Sequence, residues 1–265
     1  GMVSIMFMVF AVVFGLVQKK LNLSGWKEAV LGILCIAASF AVGMNCPLIF
    51  GKETWSYLTF VYIFFAAVLP MWLLKQPRDY MTTFMFICMI AGAVIGLFVA
   101  HPTMNLPVFT GFTNANLGTM FPILFVPVAC GAVSGFHSLV SSGTSSKQIS
   151  NETHMLPVGY GAMVLESFVG VLAIVTAGIM FGDMNTAGTG ALNAGTASTP
   201  FQIFAAGVAR GMELMGFNAT FATVFMTMNV SALALTSVDA VARIGRTSWQ
   251  EFFYETNDAA SRSSE

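Results

Sequence analysis

Charge is what this sequence has least of. Asp, Glu, Lys and Arg make up 9% of its 265 residues, where soluble domains carry about 25%. Hydrophobic residues make up 56%, and the mean hydropathy is +0.78. A soluble core cannot use that much apolar surface, so the class is an all-α integral membrane protein. The net charge is −1 and no basic block exists, which excludes nucleic acid as a partner. Cysteine chemistry is missing as well. Cys35, Cys46, Cys88 and Cys130 form no C-x-x-C pair, and no His stands at metal-ligand spacing. They read as small hydrophobes, with no cofactor and no metal implied. No cleavable signal peptide is recognisable, since no basic residue precedes the first apolar run. Gly1 before Met2 reads as a tag remnant. What the chain has instead is 18 Met and 25 Phe, the residues that fill lipid-facing and interhelical surfaces.

A spanning helix needs about 20 mostly apolar residues. The runs that meet or approach this are 3–17, 26–44, 54–74, 80–100, 118–136, 158–181 and 218–238. They predict a polytopic bundle of about seven spans in one transmembrane domain, 1–246. Trp55, Tyr57, Tyr62 and Trp72 read as an interfacial belt for the third. Residues 201–215 mix apolar side chains with Arg210 and Glu213 and predict an interfacial or re-entrant helix. Residues 247–265 read as a cytoplasmic piece: an amphipathic stretch around Trp249 and Tyr254, then a polar tail from 256 to 265. The loops 101–117 and 182–200 read as surface loops, with lids as the alternative.

The positive charges orient this bundle. If the start faces out, the inside segments hold Lys19, Lys20, Lys27, Lys75, Arg78, Lys147, Arg243, Arg246 and Arg262, and the outside segments Lys52 and Arg210. Nine against two predicts a cytoplasmic C-terminus. That places the Asn151–Glu152–Thr153 sequon inside, away from glycosylation.

The fifth span is unlike the others. Residues 129–148, ACGAVSGFHSLVSSGTSSKQ, start apolar and then break into glycines, hydroxyls and one His. Backbone that leaves helix geometry at membrane depth survives only where protein or a water-filled cavity covers it. Gly131, Ser134, Gly135, His137, Ser141 and Ser142 are therefore the candidate substrate-binding residues. His137 suits a proton relay or a carboxylate contact, against a purely structural role. The free N–H groups of a helix start also suit an anion. Ser134 with His137 forms no hydrolase nucleophile. Ala132 stands where G-x-S-x-G needs glycine, and no acid follows, so no enzyme is expected.

Charges inside spans are the other candidates. A charge at mid-span costs about 2.5–3.5 kcal/mol on insertion scales, so Glu166, nine residues into the sixth run, reads either as a coupling carboxylate or as a neutral packing residue. Asp239 and Arg243, four apart, share a helix face and can pair; the readings are a helix-end ion pair or a second coupling site at Asp239. Arg78 and Asp79, after Pro77, read as a charged turn that anchors topology.

Several motifs together resemble the carbon starvation protein A family. They are Gln76-Pro-Arg-Asp-Tyr80, the whole stretch 129–148, Gly159-Tyr-Gly-Ala-Met163 with Leu165-Glu-Ser167, Phe204-Ala-Ala-Gly207, and Leu235-Thr-Ser-Val-Asp239 with Ala242-Arg243. The resemblance runs from about residue 55 to 251, with 2–54 matching in hydropathy alone. It implies part of an amino-acid-transporter-like (APC/LeuT-type) fold whose site lies between two broken helices. It also implies a multi-pass protein of a prokaryotic plasma (inner) membrane, linked to the carbon starvation response. The function implied is secondary active uptake of a small carboxylate such as pyruvate, or of short peptides, by symport with a proton or sodium. Family members are longer, with an early glycine- and proline-rich helix after a His-His pair and further helices after the Asp239–Arg243 region. This chain is then expected to be a partial one, with a missing half or further copies as partners beside lipid and substrate. The alternative is a non-transporting membrane subunit or fragment that pairs with a separately encoded half.

Overall fold

A computed structural model describes residues 2–21, 25–46, 51–104, 108–109, 111–114, 118–180 and 200–253. The loop 182–199 and the tail 256–265 lie outside the described residues. The protein is an all-α polytopic membrane protein, with one two-residue antiparallel strand pair among the described residues, β1 (Thr113–Asn114) and β2 (Gly118–Thr119). The helices are α1 (Met2–Leu21), α2 (Trp26–Asn45), α3 (Lys52–Val68), α4 (Lys75–Ala100), α5 (Met120–Ile123), α6 (Phe125–Val133), α7 (Gly135–Val140), α8 (Ala162–Met180), α9 (Pro200–Leu214) and α10 (Ala219–Phe253). Six helical stretches among the described residues are long and apolar enough to cross a membrane, the broken one at Met120–Gln148 included.

The sequence predicts about seven such spans, and the third is the one that falls short. Helix α3 has 17 residues, about 25 Å at 1.5 Å per residue, against a hydrocarbon core of about 30 Å. Its apolar run continues to Leu74, but Pro70 pushes Leu69 into extended backbone (ψ 148°), as a residue before proline prefers. The chain turns there and re-enters helix at Lys75. Gln76-Pro-Arg-Asp is thus no surface turn but the first turn of α4. Pro77 is tolerated because the N–H groups of a first turn have no helical partner. At its far end α4 stops at His101, which adopts a left-handed conformation (φ 40°) immediately before Pro102.

The core joins α1, α2, α4, α9 and α10 around Phe7, Phe14, Met81, Met85, Met89 and Met226. Lipid tails are as apolar as these side chains, so association relies on close packing and polar ties. Helix α9 shows this. The sequence predicts an interfacial or re-entrant helix at 201–215; in the structure α9 packs against α4, α8 and α10, with Val208, Ala209 and Met212 buried. Its Gly211 lies backbone to backbone against Gly96 of α4. Asn229 of α10, fully buried, donates to the Met85 carbonyl at 3.2 Å.

Helix α10 is one continuous rod of 35 residues, about 52 Å long. The amphipathic stretch around Trp249 continues this helix through Arg246 rather than forming a separate element. The apolar part from Ala219 onward is used up near Asp239, about 30 Å along. The chain just past α3 and the start of α4 meet α10 at this level, and the end of α1 lies against the start of α2 and the turn before α4. Gln18 donates to Glu28 at 2.6 Å, and the Lys19 ammonium sits 3.7 Å over the Trp72 ring. Arg243 and Arg246 donate to the Leu69 and Ala67 carbonyls, each at 2.9 Å. Among the described residues, Lys19, Lys75, Arg78, Arg243 and Arg246 therefore lie toward one end of the bundle.

Candidate functional site

The buried charge of this protein lies at that end, where α3, α4 and α10 meet. Arg78 is 1% exposed, and so is Asp239. Because Pro77 and Arg78 are helical, the Arg78 side chain leaves the first turn of α4 toward α10 instead of into water. Its Nη1 lies 2.7 Å from Asp239 Oδ2 and also donates to the Tyr62 hydroxyl. The Tyr62 hydroxyl lies 3.0 Å from the same Asp239 oxygen and donates to it. On the other side Arg78 Nη2 donates to Asp79 Oδ1 and to Thr236 Oγ1, each at 3.2 Å. Thr236 Oγ1 lies 3.1 Å from Asp79 Oδ1. Buried Lys75 and half-buried Arg243 flank the cluster. Two atoms of the central pair, Arg78 Nε and Asp239 Oδ1, are buried without a partner, as is Arg243 Nε.

This arrangement corrects three sequence expectations. Asp239 pairs with Arg78 across helices, not with Arg243 along its own helix; Arg243 instead ties α10 to the Leu69 carbonyl. Arg78 is a buried partner rather than a surface anchor. Tyr62, read as a belt aromatic, is half-buried and bonded to Asp239. The sequence held one usable signal: an Arg and an Asp in separate, otherwise apolar runs must find each other or pay for burial alone. The register of α3 that brings Tyr62 there left no mark in the sequence.

Tyr62→Phe removes one hydrogen bond to a carboxylate and keeps the ring. It should lower resistance to unfolding by SDS by about 1 kcal/mol. Unchanged resistance would show the hydroxyl to be idle.

The broken segment is broken as its composition suggests. Ser134 is extended (ψ 117°) between α6 and α7, and its Oγ accepts the His137 N–H at 3.4 Å. Past α7 the chain loosens into a π turn at Ser141–Ser145 and a 3-10 turn at Ser146–Gln148. Gly131, Gly135, His137, Ser141 and Ser142 are exposed and Ser134 is partly so. Thr144 is buried. The π turn reaches α10 at Ile244, whose side chain lies 4.0 Å from the position a Gly143 Cβ would take. The hydroxyl-rich end thus abuts the helix that carries Asp239, next to Arg243. Glu166 is not brought in. It is exposed on α8. A cavity of about 390 Å³ lies near the far end of α10, between Ser4, Gly43, Thr220, Thr227 and Ser231, and includes none of the predicted site residues. Among the described residues no three His, Cys, Asp or Glu side chains cluster as a metal would need.

Comparison with known proteins agrees with the motif-level resemblance. The model of a family described as carbon starvation protein CstA matches residues 1–194 and 183–265, so the match includes residues 2–54, where hydropathy alone pointed to the family. The chain is 40% identical over 166 residues to a protein of Escherichia coli K12 named pyruvate/proton symporter BtsT, covering 58% of this chain and 23% of that protein. It is 48% identical over 123 residues to the peptide transporter CstA of the same strain, covering 45% of this chain and 18% of that one. To the peptide transporter CstA of Bacillus subtilis it is 43% identical over 121 residues, covering 44% and 20%. The chain thus spans about a fifth of the length of the curated relatives it matches. These relatives are named as transporters, not enzymes. No solved structure matches.

Proposed function

We propose that this chain, which belongs to the carbon starvation protein CstA family, is part of a secondary carrier that takes up a small carboxylate or a short peptide with a coupled cation. The observation that carries this reading is the buried Arg78–Asp239 pair. Ionisable groups inside a membrane bundle are expensive and mark substrate or ion pathways. Asp239 is the coupling carboxylate, and the broken segment with Ser134 and His137 shapes the substrate path beside it. The name of the E. coli symporter favours a proton over sodium and pyruvate as one substrate; the names of the other relatives favour peptides. The charged end of the bundle is assigned to the cytoplasm of a prokaryotic cell, since Lys19, Lys75, Arg78, Arg243 and Arg246 gather there.

Glu166 supports a further point. It is exposed on α8 between Leu165 and Phe168, both exposed too. A carboxylate facing lipid costs about as much as any mid-span charge, so more protein covers this face in the working carrier. The second reading, a non-transporting subunit or fragment paired with a separately encoded half, draws on the same face. Co-expression with the genes next door distinguishes the two: transport by the full-length protein alone excludes the paired half.

A substrate panel tests the carrier reading. The full-length protein, in a host lacking its own carriers, should take up labelled pyruvate or a dipeptide, and a protonophore should stop accumulation. Accumulation that persists with the proton gradient collapsed would remove the proton. His137→Ala should lower uptake by about tenfold, or 1.4 kcal/mol of lost interaction, without lowering the amount of protein in the membrane. Normal uptake by that variant would remove His137 from the path.

A further inference from the structure

We infer that Arg78 is the seat of the substrate carboxylate, which reaches it by exchange with Asp239: a proton on Asp239 frees the guanidinium, and the substrate carboxylate takes its place. This rests on the carrier reading above.

Arg78 is the fixed point. A guanidinium cannot give up its proton in a protein, and at 1% exposure it must always face an anion. Asp239 is its fully buried anion; the other, Asp79, is 33% exposed and sits on the opposite nitrogen. Yet the central pair is incompletely made. It joins one nitrogen to one oxygen, and Arg78 Nε and Asp239 Oδ1 have no partner. Arg and carboxylate are best matched when two parallel N–H···O bonds form. Asp239, held on the rod of α10, does not reach that geometry. A carboxylate free to orient does, so it competes with Asp239 once Asp239 is neutral.

The charges around the pair set the coupling. Tyr62 faces Asp239 from α3; Lys75, Arg78 and Asp79 from α4; and Arg243 from its own helix. On the other elements packed against α10, the titratable groups are turned elsewhere. Lys19 of α1 covers Trp72, and Lys20 is exposed. Arg210 and Glu213 of α9 lie 3.9 Å from each other, and His137 of α7 is exposed. The cluster therefore holds three cations, Lys75, Arg78 and Arg243, against two carboxylates. A proton from water binds Asp239 and raises that excess; a substrate carboxylate restores it. The proton alone adds to the excess of cations, and the substrate carboxylate alone finds Arg78 Nη1 taken by ionised Asp239; each removes the other's obstacle, which links one proton to one carboxylate. On release the substrate leaves, Asp239 returns its proton to water and closes again on Arg78. The ligand class is any small molecule with one free carboxylate of suitable reach, a 2-oxo acid or the C-terminus of a short peptide.

The test uses the full-length carrier in proteoliposomes, with pyruvate and dialanine as probes and methyl pyruvate and dialanine amide as neutral controls. The probe that is transported identifies the source of the carboxylate. In wild type, counterflow of that probe should depend on pH. Asp239→Asn mimics the protonated state. It should lower gradient-driven accumulation by about tenfold or more, and the remaining counterflow should no longer vary with pH. Arg78→Gln should lose counterflow as well. A measurement without variants guards against misfolding: in weakly buffered solution, wild-type carrier binding the transported probe should take up about one proton per molecule bound, and no proton with the neutral control. Carboxylate binding without proton uptake overturns the exchange, as does pH-dependent counterflow in Asp239→Asn. A wild type that moves neither pyruvate nor dialanine overturns the carrier reading itself, and the exchange with it.

Discussion

Arg78→Ala should be among the most damaging single substitutions in this chain, lowering the stability of the bundle by about 3–5 kcal/mol. The loss comes less from the missing attraction than from what is left behind. Asp239, 1% exposed, would keep only the Tyr62 hydroxyl and would face a low-dielectric interior as a lone carboxylate. Asp239→Ala should cost less, because Arg78 retains Asp79 and Thr236 on its other nitrogen. The double variant Arg78→Ala with Asp239→Ala should recover a large part of the single loss, since no buried charge then lacks a partner. Unfolding by SDS, followed by helical signal for the four proteins, gives the coupling directly. Strictly additive losses would mean that the two side chains act independently.

Gly96→Ala should separate α4 from α9, at a cost of about 1–3 kcal/mol. A methyl group at Gly96 would stand 2.9 Å from the Cα of Gly211 and 3.0 Å from its carbonyl carbon. These are backbone atoms of a packed helix and cannot rotate away. The reverse substitution is milder: at Gly211 the added carbon stands 3.4 Å from the Cα of Gly96, a distance that a shift of a few tenths of an ångström absorbs. Gly211→Ala should therefore stay below about 1 kcal/mol. Equal effects of the two changes in the same assay would contradict this geometry. Close glycine contacts of this kind replace the hydrophobic driving force that lipid removes.

Much of the fold was legible in the sequence because it follows from solvent. Low charge and long apolar runs leave the backbone no option but helix within a bilayer, and the spans α1, α2, α4, α8 and α10 lie close to where hydropathy puts them. The errors share one cause. Hydropathy counts apolar residues without regard to backbone chemistry, so it carried the third span across Leu69–Pro70 and read Pro77 as a turn. The packing of helix α9 was not legible for a related reason. Arg210 and Glu213 made it look like surface, but the opposite face carries Val208 and Met212, which only neighbouring helices could show to be buried, and Gly211, which packs on Gly96.

The candidate site divides in the same way. The break at Ser134 was readable, since glycine, serine and histidine together mark backbone that leaves helix geometry, and the structure puts extended backbone there. Glu166 and Asp239 were both singled out by being charges in apolar runs. Nothing in their spacing could tell that one is exposed on α8 and the other buried against Arg78.

The sequence by itself determined that this is an all-α membrane protein with a broken fifth span and a handful of misplaced charges, because those properties depend on each segment's own affinity for lipid or water. Only the tertiary structure decided which charges meet. Arg78 and Asp239 are 161 residues apart, and their pairing depends on the register in which α3, α4 and α10 pack. That register is set by contacts such as Asn229 on the Met85 carbonyl and Arg246 on the Ala67 carbonyl, which no single segment encodes.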